Sequence, residues 1–121
     1  MTKVTLTTTG RRTGQPREAI LYAFDDGDRL VVVGSRGGAA HDPSWAHNLR
    51  ADARATLGRG RRRPQPVRAT EADGDERDRL WALVCSEFPL YATYQRRTER
   101  RIPLFVLEPG DRQVRRVPAD G

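Results

Sequence analysis

The first third of the chain alternates with a period of two. Across residues 3–9, Val4, Leu6 and Thr8 face one way and Thr5, Thr7 and Thr9 the other, the pattern of a half-buried strand. Residues 17–24 repeat it, with Ala19, Leu21 and Ala23 set against Ile20, Tyr22 and Phe24. Asp25-Asp26-Gly27-Asp28 then predicts a hairpin, because Asp-Gly supplies the positive φ angles that primed turns need. The next run, Leu30-Val31-Val32-Val33, does not alternate. A continuous apolar strand predicts cover on both faces.

Pro43 suits the first turn of a helix reaching about Ala51, with Asp42 as its expected N-cap. Short strands are expected at Arg54–Leu57 and Pro66–Thr70, joined by the basic tip GRGRRRP. A second helix is expected over Glu76–Glu87, with Leu80, Leu83, Val84, Cys85 and Phe88 as its apolar stripe and Pro89 as its stop. Tyr91–Arg101 is aromatic and then strongly basic, and Arg96, Arg97, Arg100 and Arg101 read as a solvated face. Pro103–Glu108 predicts a last core strand, Val114–Val117 a paired edge, and Pro118–Gly121 a frayed tail. Hairpins dominate and strand–helix–strand crossovers are absent. A small antiparallel β-barrel with peripheral helices (mainly β, α+β) follows, as one domain over residues 1–121.

Composition sharpens this picture. Charged residues make up 31% and hydrophobic residues 36% of 121 residues. So polar a chain leaves room for apolar surface to be covered by a cofactor or a second subunit. No run approaches the roughly 18 apolar residues of a membrane span, and no secretory h-region opens the chain. Cys85 is the only cysteine, which excludes an internal disulfide and fits a reducing, cytoplasmic setting. It reads as a small residue on a helix face. His41 and His47 are isolated, so no metal site is implied. The net charge of +6 favours an anionic partner.

Three segments offer anion-binding chemistry. Thr7–Arg17 sets Arg11, Arg12 and Thr13 between glycines; Gly34-Ser35-Arg36-Gly37-Gly38 closes an apolar strand; Pro43–Leu49 starts a helix carrying Trp45 and Asn48. Backbone N–H groups in Gly-rich turns and at helix N-termini attract anions, and arginines add bidentate donors. Together they predict a pocket for a phosphorylated or carboxylated small molecule. Taken singly each has a plainer reading: two arginines in a turn are usually solvated, Trp45 can simply pack, and aromatic stripes are more often core.

Four segments in order, Thr7–Arg17, Val31–Gly38, Asp42–Leu49 and Tyr91–Pro103, resemble the deazaflavin-dependent nitroreductase family, split β-barrel proteins that use coenzyme F420. The resemblance covers nearly the whole chain. It implies an F420H2-dependent reductase passing a hydride to an electron-poor small-molecule acceptor such as a quinone, nitro compound or enone. It implies that Arg11, Arg12, Thr13, Gly14, Pro16 and Arg17 hold the coenzyme's phosphate and carboxylates. Val33, Gly34, Ser35, Arg36, Gly37 and Gly38 would face its ring and linker, and Trp45 and Asn48 its phosphate and sugar-like chain. Ser35, Tyr91 and Tyr94 become the candidates for positioning the acceptor or donating a proton. Arg12 and Arg36 stand where lysine is common, Ala46 where tyrosine is frequent, and Phe88 where some members present another tyrosine. Many relatives carry an N-terminal extension over the pocket, whereas the first strand here is expected almost at Thr2. FMN is the alternative cofactor. A coenzyme carrier with little turnover and a basic nucleic-acid-binding barrel are the alternative functions; the second lacks alternating aromatic and basic strand positions. Homodimerisation and peripheral association with a membrane stay open.

Overall fold

A computed structural model describes residues 1–110; the edge strand and tail expected beyond them lie outside the described residues. Six strands, β1 (Thr2–Thr9), β2 (Pro16–Asp26), β3 (Arg29–Val33), β4 (Arg54–Gly58), β5 (Gln65–Glu71) and β6 (Leu104–Pro109), close a barrel in the order β1-β2-β3-β6-β5-β4. Every neighbouring pair is antiparallel. Three helices accompany it: α1 (Ser44–Ala51), α2 (Gly74–Glu87) and α3 (Leu90–Arg96).

The strand periodicity is explained by two cores. Val4 and Leu6 of β1, Leu30 and Val32 of β3, Leu57 of β4 and Phe105 and Leu107 of β6 point into the barrel. Helix α1 joins this interior through Trp45, Ala46 and Leu49, and Trp45 meets the edge of Phe105 at 5.7 Å between ring centroids. The alternate residues Val31, Val33, Leu104 and Val106 face outward, where Leu80 and Val84 of α2 and Tyr91 of α3 bury them. The unbroken apolar runs of β3 and β6 thus have cover on both faces. Among the described residues nothing covers the outer side chains of Ile20 and Tyr22 of β2, which are 67% and 51% exposed.

Some expectations change. The β2–β3 hairpin turns at Gly27 and Asp28, pairing Asp26 with Arg29, and only Gly27 takes a positive φ. Asp42 does not cap α1: Pro43 holds the N-cap position without a side-chain hydrogen bond, because the Asp42 carboxylate is taken by Arg50 and Arg100. Helix α2 starts two residues earlier than expected, at Gly74.

Candidate functional site

Arg11, Arg12, Thr13 and Arg17 converge with Trp45 and Asn48 on one cavity of about 450 Å³. The loop between β1 and β2 is tied down internally. Gly10 N donates to Gln15 O, Gly14 N to Gly10 O, and Gln15 N to the Thr13 hydroxyl, with Gly14 at φ +73° closing the turn. Asn48, 3% exposed, fixes the loop to α1: its Oδ1 accepts from Arg11 N at 3.0 Å and its Nδ2 donates to the Thr8 hydroxyl at 3.0 Å. Buried amides of this kind are satisfied or costly. Asn48 therefore spends both ends of its side chain on holding the Arg11 loop in register. The backbone N–H groups of residues 10, 11, 14 and 15 are likewise committed, so a ligand is left the guanidinium side chains and the N–H groups of Arg12 and Thr13. The side chains of Arg11, Arg12 and Arg17 are exposed, and their guanidinium groups have no ion-pair or hydrogen-bond partner among the described residues. Glu18 is the only acidic residue lining the cavity.

The segment from Gly34 to Asp42 forms a second element. Gly34 N donates to Pro103 O at 2.9 Å, and a Cβ on Gly34 would meet the Pro103 ring at 2.8 Å. Arg36, Gly37 and Gly38 all take positive φ, 45°, 62° and 84°. For Arg36 that costs roughly 1–2 kcal/mol, so something must hold the turn. Arg100 does. Its Nε donates to Ala39 O at 2.7 Å, Nη2 to Ser35 O at 2.7 Å, and Nη1 to Gly34 O at 3.1 Å and to Asp42 Oδ1 at 2.6 Å. The Arg100 side chain is 13% exposed, which corrects the expectation that the whole basic run is solvated. Asp42 Oδ2 in turn accepts from Arg50 Nη1, and Arg50 grips Glu71 through Nε and Nη2. One relay of ion pairs thus connects the glycine loop, α1 and the end of β5.

Helix α3 lies against this loop. A Cβ on Gly38 would sit 2.6 Å from Tyr94 O, and Arg97 stacks 5.5 Å from the Tyr94 ring centroid. Tyr94 is half-buried, and the Ser35 hydroxyl has no partner among the described residues. Tyr91 lies deeper, 6% exposed, edge-on to Phe24 and Phe88. Burial pushes its phenol up to about 12, with Tyr94 and Cys85 adding to the rise, so at neutral pH it can donate a proton in a hydrogen bond but not act as a base. The glycine loop that carries Ser35 is thereby packed on the helix that carries Tyr94. None of Ser35, Tyr91 and Tyr94 lines the arginine cavity.

A cavity of similar size, about 430 Å³, sits over the barrel residues Leu30, Leu57 and Val67 with Arg59, Arg62 and Arg63 at its edge. It contains none of the predicted site residues and faces both Asp28 and Glu108. Burial raises the Cys85 thiol above its ordinary range, as expected of an inert core cysteine. Among the described residues no metal-ligating cluster occurs and no helix is long and apolar enough to cross a membrane.

Comparison with known proteins places this geometry. The family model for F420H(2)-dependent quinone reductase matches residues 1–109. The F420H(2)-dependent quinone reductase Rv1261c of Mycobacterium tuberculosis strain H37Rv is 38% identical over 107 residues, covering 84% of this chain and 70% of that one. A solved F420-H2 dependent reductase (FDR-A) superposes with a TM-score of 0.78 at 34% identity, covering 88% of this chain and 93% of its own. A second solved structure, described as a domain-swapped dimer, has the same TM-score and identity and covers 88% of this chain and 79% of that one.

Proposed function

The chain belongs to the F420H2-dependent quinone reductase family, with its split-barrel fold, and on that premise we propose that it binds reduced coenzyme F420 and reduces a quinone. The observation that carries the reading is the set of three guanidinium groups without a partner among the described residues, those of Arg11, Arg12 and Arg17, around a 450 Å³ cavity walled by Trp45. That donor set fits a ligand with a phosphodiester and several carboxylates. When bound, the coenzyme supplies the hydride, and the protein supplies binding and orientation.

The residues divide the work. Arg11, Arg12 and Arg17 neutralise the anionic end, and Asn48 keeps the Arg11 loop in place. Gly34 and Gly38 let the loop pack closely on Pro103 and Tyr94, while Gly37, where an added Cβ would meet nothing within 4 Å, leaves the backbone open to a flat ring, and Arg36 adds charge at that turn. Val33 supports the loop from the core. The Ser35 Oγ and Tyr94 Oη hydroxyls are the candidates for donating a hydrogen bond or proton to the acceptor oxygen. Tyr91, protonated throughout the neutral range, lies deeper, edge-on to Phe24 and Phe88. FMN remains the secondary cofactor.

Turnover tests this reading. Purified protein given F420H2 anaerobically should oxidise it only when a quinone such as menadione is present. Tight coenzyme binding with no quinone-dependent oxidation selects the carrier function instead. Ser35→Ala and Tyr94→Phe should each lower kcat with little change in coenzyme affinity. Unchanged kcat in both and in their combination assigns protonation to solvent. The bare Ile20 and Tyr22 on β2, together with the dimeric relative, support a homodimer, which sedimentation equilibrium checks.

A further inference from the structure

Arg77 is an arginine in the wrong place for a surface residue. It lies on the inner face of α2, in step with the buried Leu80 and Val84, and is 6% exposed. Guanidinium is never neutral in a protein, and although the residue as a whole is buried, its nitrogens are not sealed in: no fully buried side-chain nitrogen or oxygen among the described residues lacks a partner, so the charge opens onto a cavity. No acceptor reaches the Arg77 guanidinium among the described residues; its close contact is the face of Trp81, 5.4 Å from the ring centroid. Arg77 lines a cavity of about 220 Å³ together with Arg101, Glu71, Asp73, Ala72 and Pro103. A second positive charge therefore shares that cavity, and the two repel: burial first, and then Arg101, lower the proton affinity of Arg77 by more than Asp78 and Glu71 raise it.

The acidic neighbours do not cancel this. Both Glu71 carboxylate oxygens accept from Arg50, at 2.8 and 2.9 Å. Asp78, on the same helix, and Glu71 act on Arg77 only through space. That leaves Asp73 against two arginines. The Asp73 side chain caps none of the first-turn N–H groups of α2, although it occupies the N-cap position. The floor is firm, because Ala72 N donates to Leu104 O at 2.9 Å and ties the end of β5 to β6.

We propose that Arg77 and Arg101 form a binding site for a small oxyanion, a phosphate or a carboxylate, at the seam of β5, α2 and β6. The volume of about 220 Å³ admits an ion the size of phosphate or a short dicarboxylate. The site shares no lining residue with the Arg11–Arg17 cavity and does not depend on the coenzyme reading. Arg77 would contribute a partly desolvated charge and Arg101, an exposed lining residue, a second one.

Titration of ¹⁵N-labelled protein with inorganic phosphate and, separately, succinate tests this, with chloride holding ionic strength constant. Saturable shifts of the Arg77 Nε–H and of the amides of residues 71–77 and 101–102 are expected with one or both anions, and the better one identifies the ligand chemistry. Arg101→Ala removes only an exposed side chain, so its fold should survive; it should weaken the saturable binding about tenfold or more, as expected for loss of a charge-assisted contact. Arg77→Gln should abolish it where that variant folds. Shifts no different from those given by chloride, shifts confined to the Arg11–Thr13 loop, or an Arg101→Ala titration superimposable on wild type would each overturn the site.

Discussion

Replacing Arg100 by alanine should do more damage than replacing any other arginine in the run from Arg96 to Arg101. The side chain supplies four hydrogen bonds, to Gly34 O, Ser35 O, Ala39 O and Asp42 Oδ1, at 2.6 to 3.1 Å. Truncation leaves three carbonyls and one carboxylate oxygen short of a donor in a place where Asp42 is only 15% exposed. Summing four charge-assisted bonds would give about 6–12 kcal/mol, which overshoots because water can enter the vacated space. Removal of one partner from a buried ion pair, at about 3–5 kcal/mol, is the better guide. At about 4 °C per kcal/mol for a chain of this size, Tm should fall by roughly 12–20 °C. The loss also has a location. The turn at Arg36–Gly38 holds a non-glycine residue at φ 45°, and without Arg100 it should relax. Hydrogen exchange at Gly38 and Ala39, whose amides bond Ser35 O and Arg36 O, should accelerate more than exchange in β1. Lysine at position 100 keeps the charge but not the fork, so Arg100→Lys should fall between the two. The control is Arg96→Ala, an exposed side chain bonded only to the Thr93 hydroxyl, expected within about 0.5 kcal/mol of wild type. If Arg100→Ala melts within about 4 °C of wild type and leaves Gly38 and Ala39 exchange unchanged, Arg100 is not the support of the loop.

Other consequences follow from single contacts. Gly38→Ala puts a methyl group 2.6 Å from Tyr94 O at φ +84°; a Tm loss of several degrees is expected, and an unchanged melt would contradict the close packing of α3 on the loop. Hydrogen bonds from Arg79 and then Arg29 hold the Asp26 carboxyl well below its ordinary range. Its folded pKa is depressed, so its contribution is present above the ordinary carboxylate pKa and is lost as pH falls below about 4. With Arg79 half exposed, the loss should be on the order of 1 kcal/mol, and Asp26→Asn should flatten denaturant midpoints between pH 5 and pH 2 by that amount. The Tyr91 phenol, pushed up to about 12 chiefly by burial, should give an ionisation step above the ordinary tyrosine range when followed by ultraviolet absorbance, a step that Tyr91→Phe removes. Its raised folded pKa means stability falls as pH rises above about 10, a fall that Tyr91→Phe should diminish.

The barrel was legible because its strands are patterned by burial. Val4, Leu6 and Thr8 alternate as β1 requires, and the unbroken runs at Leu30–Val33 and Leu104–Leu107 mark strands covered on both faces. The arginine cavity was legible too, since Arg11, Arg12, Thr13 and Arg17 are close in sequence and Trp45 and Asn48 lie three apart on one helix. Arg100 was not. In Arg-Arg-Thr-Glu-Arg-Arg each arginine looks alike, and only contacts with residues 34–42, some sixty positions away, single one out. Asp42 has the right chemistry for an N-cap, but two arginines offer its carboxylate stronger bonds than the first turn of α1. Arg77 did leave a trace. It stands three residues before Leu80 and seven before Val84, so helical period puts it on the buried stripe, while its residue type argues for the surface. The disagreement between period and type is the signal.

The central claim, that the Arg11–Arg17 cavity receives the anionic end of F420, is tested most directly by fluorescence titration with F420 and with FMN, on wild type and on Arg11→Ala/Arg12→Ala. F420 should bind more tightly than FMN. The double variant should lose about a hundredfold in F420 affinity, the low end for two charge-assisted contacts at exposed arginines, and its binding should depend less on salt. Equal or tighter binding of FMN, or a double variant within twofold of wild type for F420, would contradict the account.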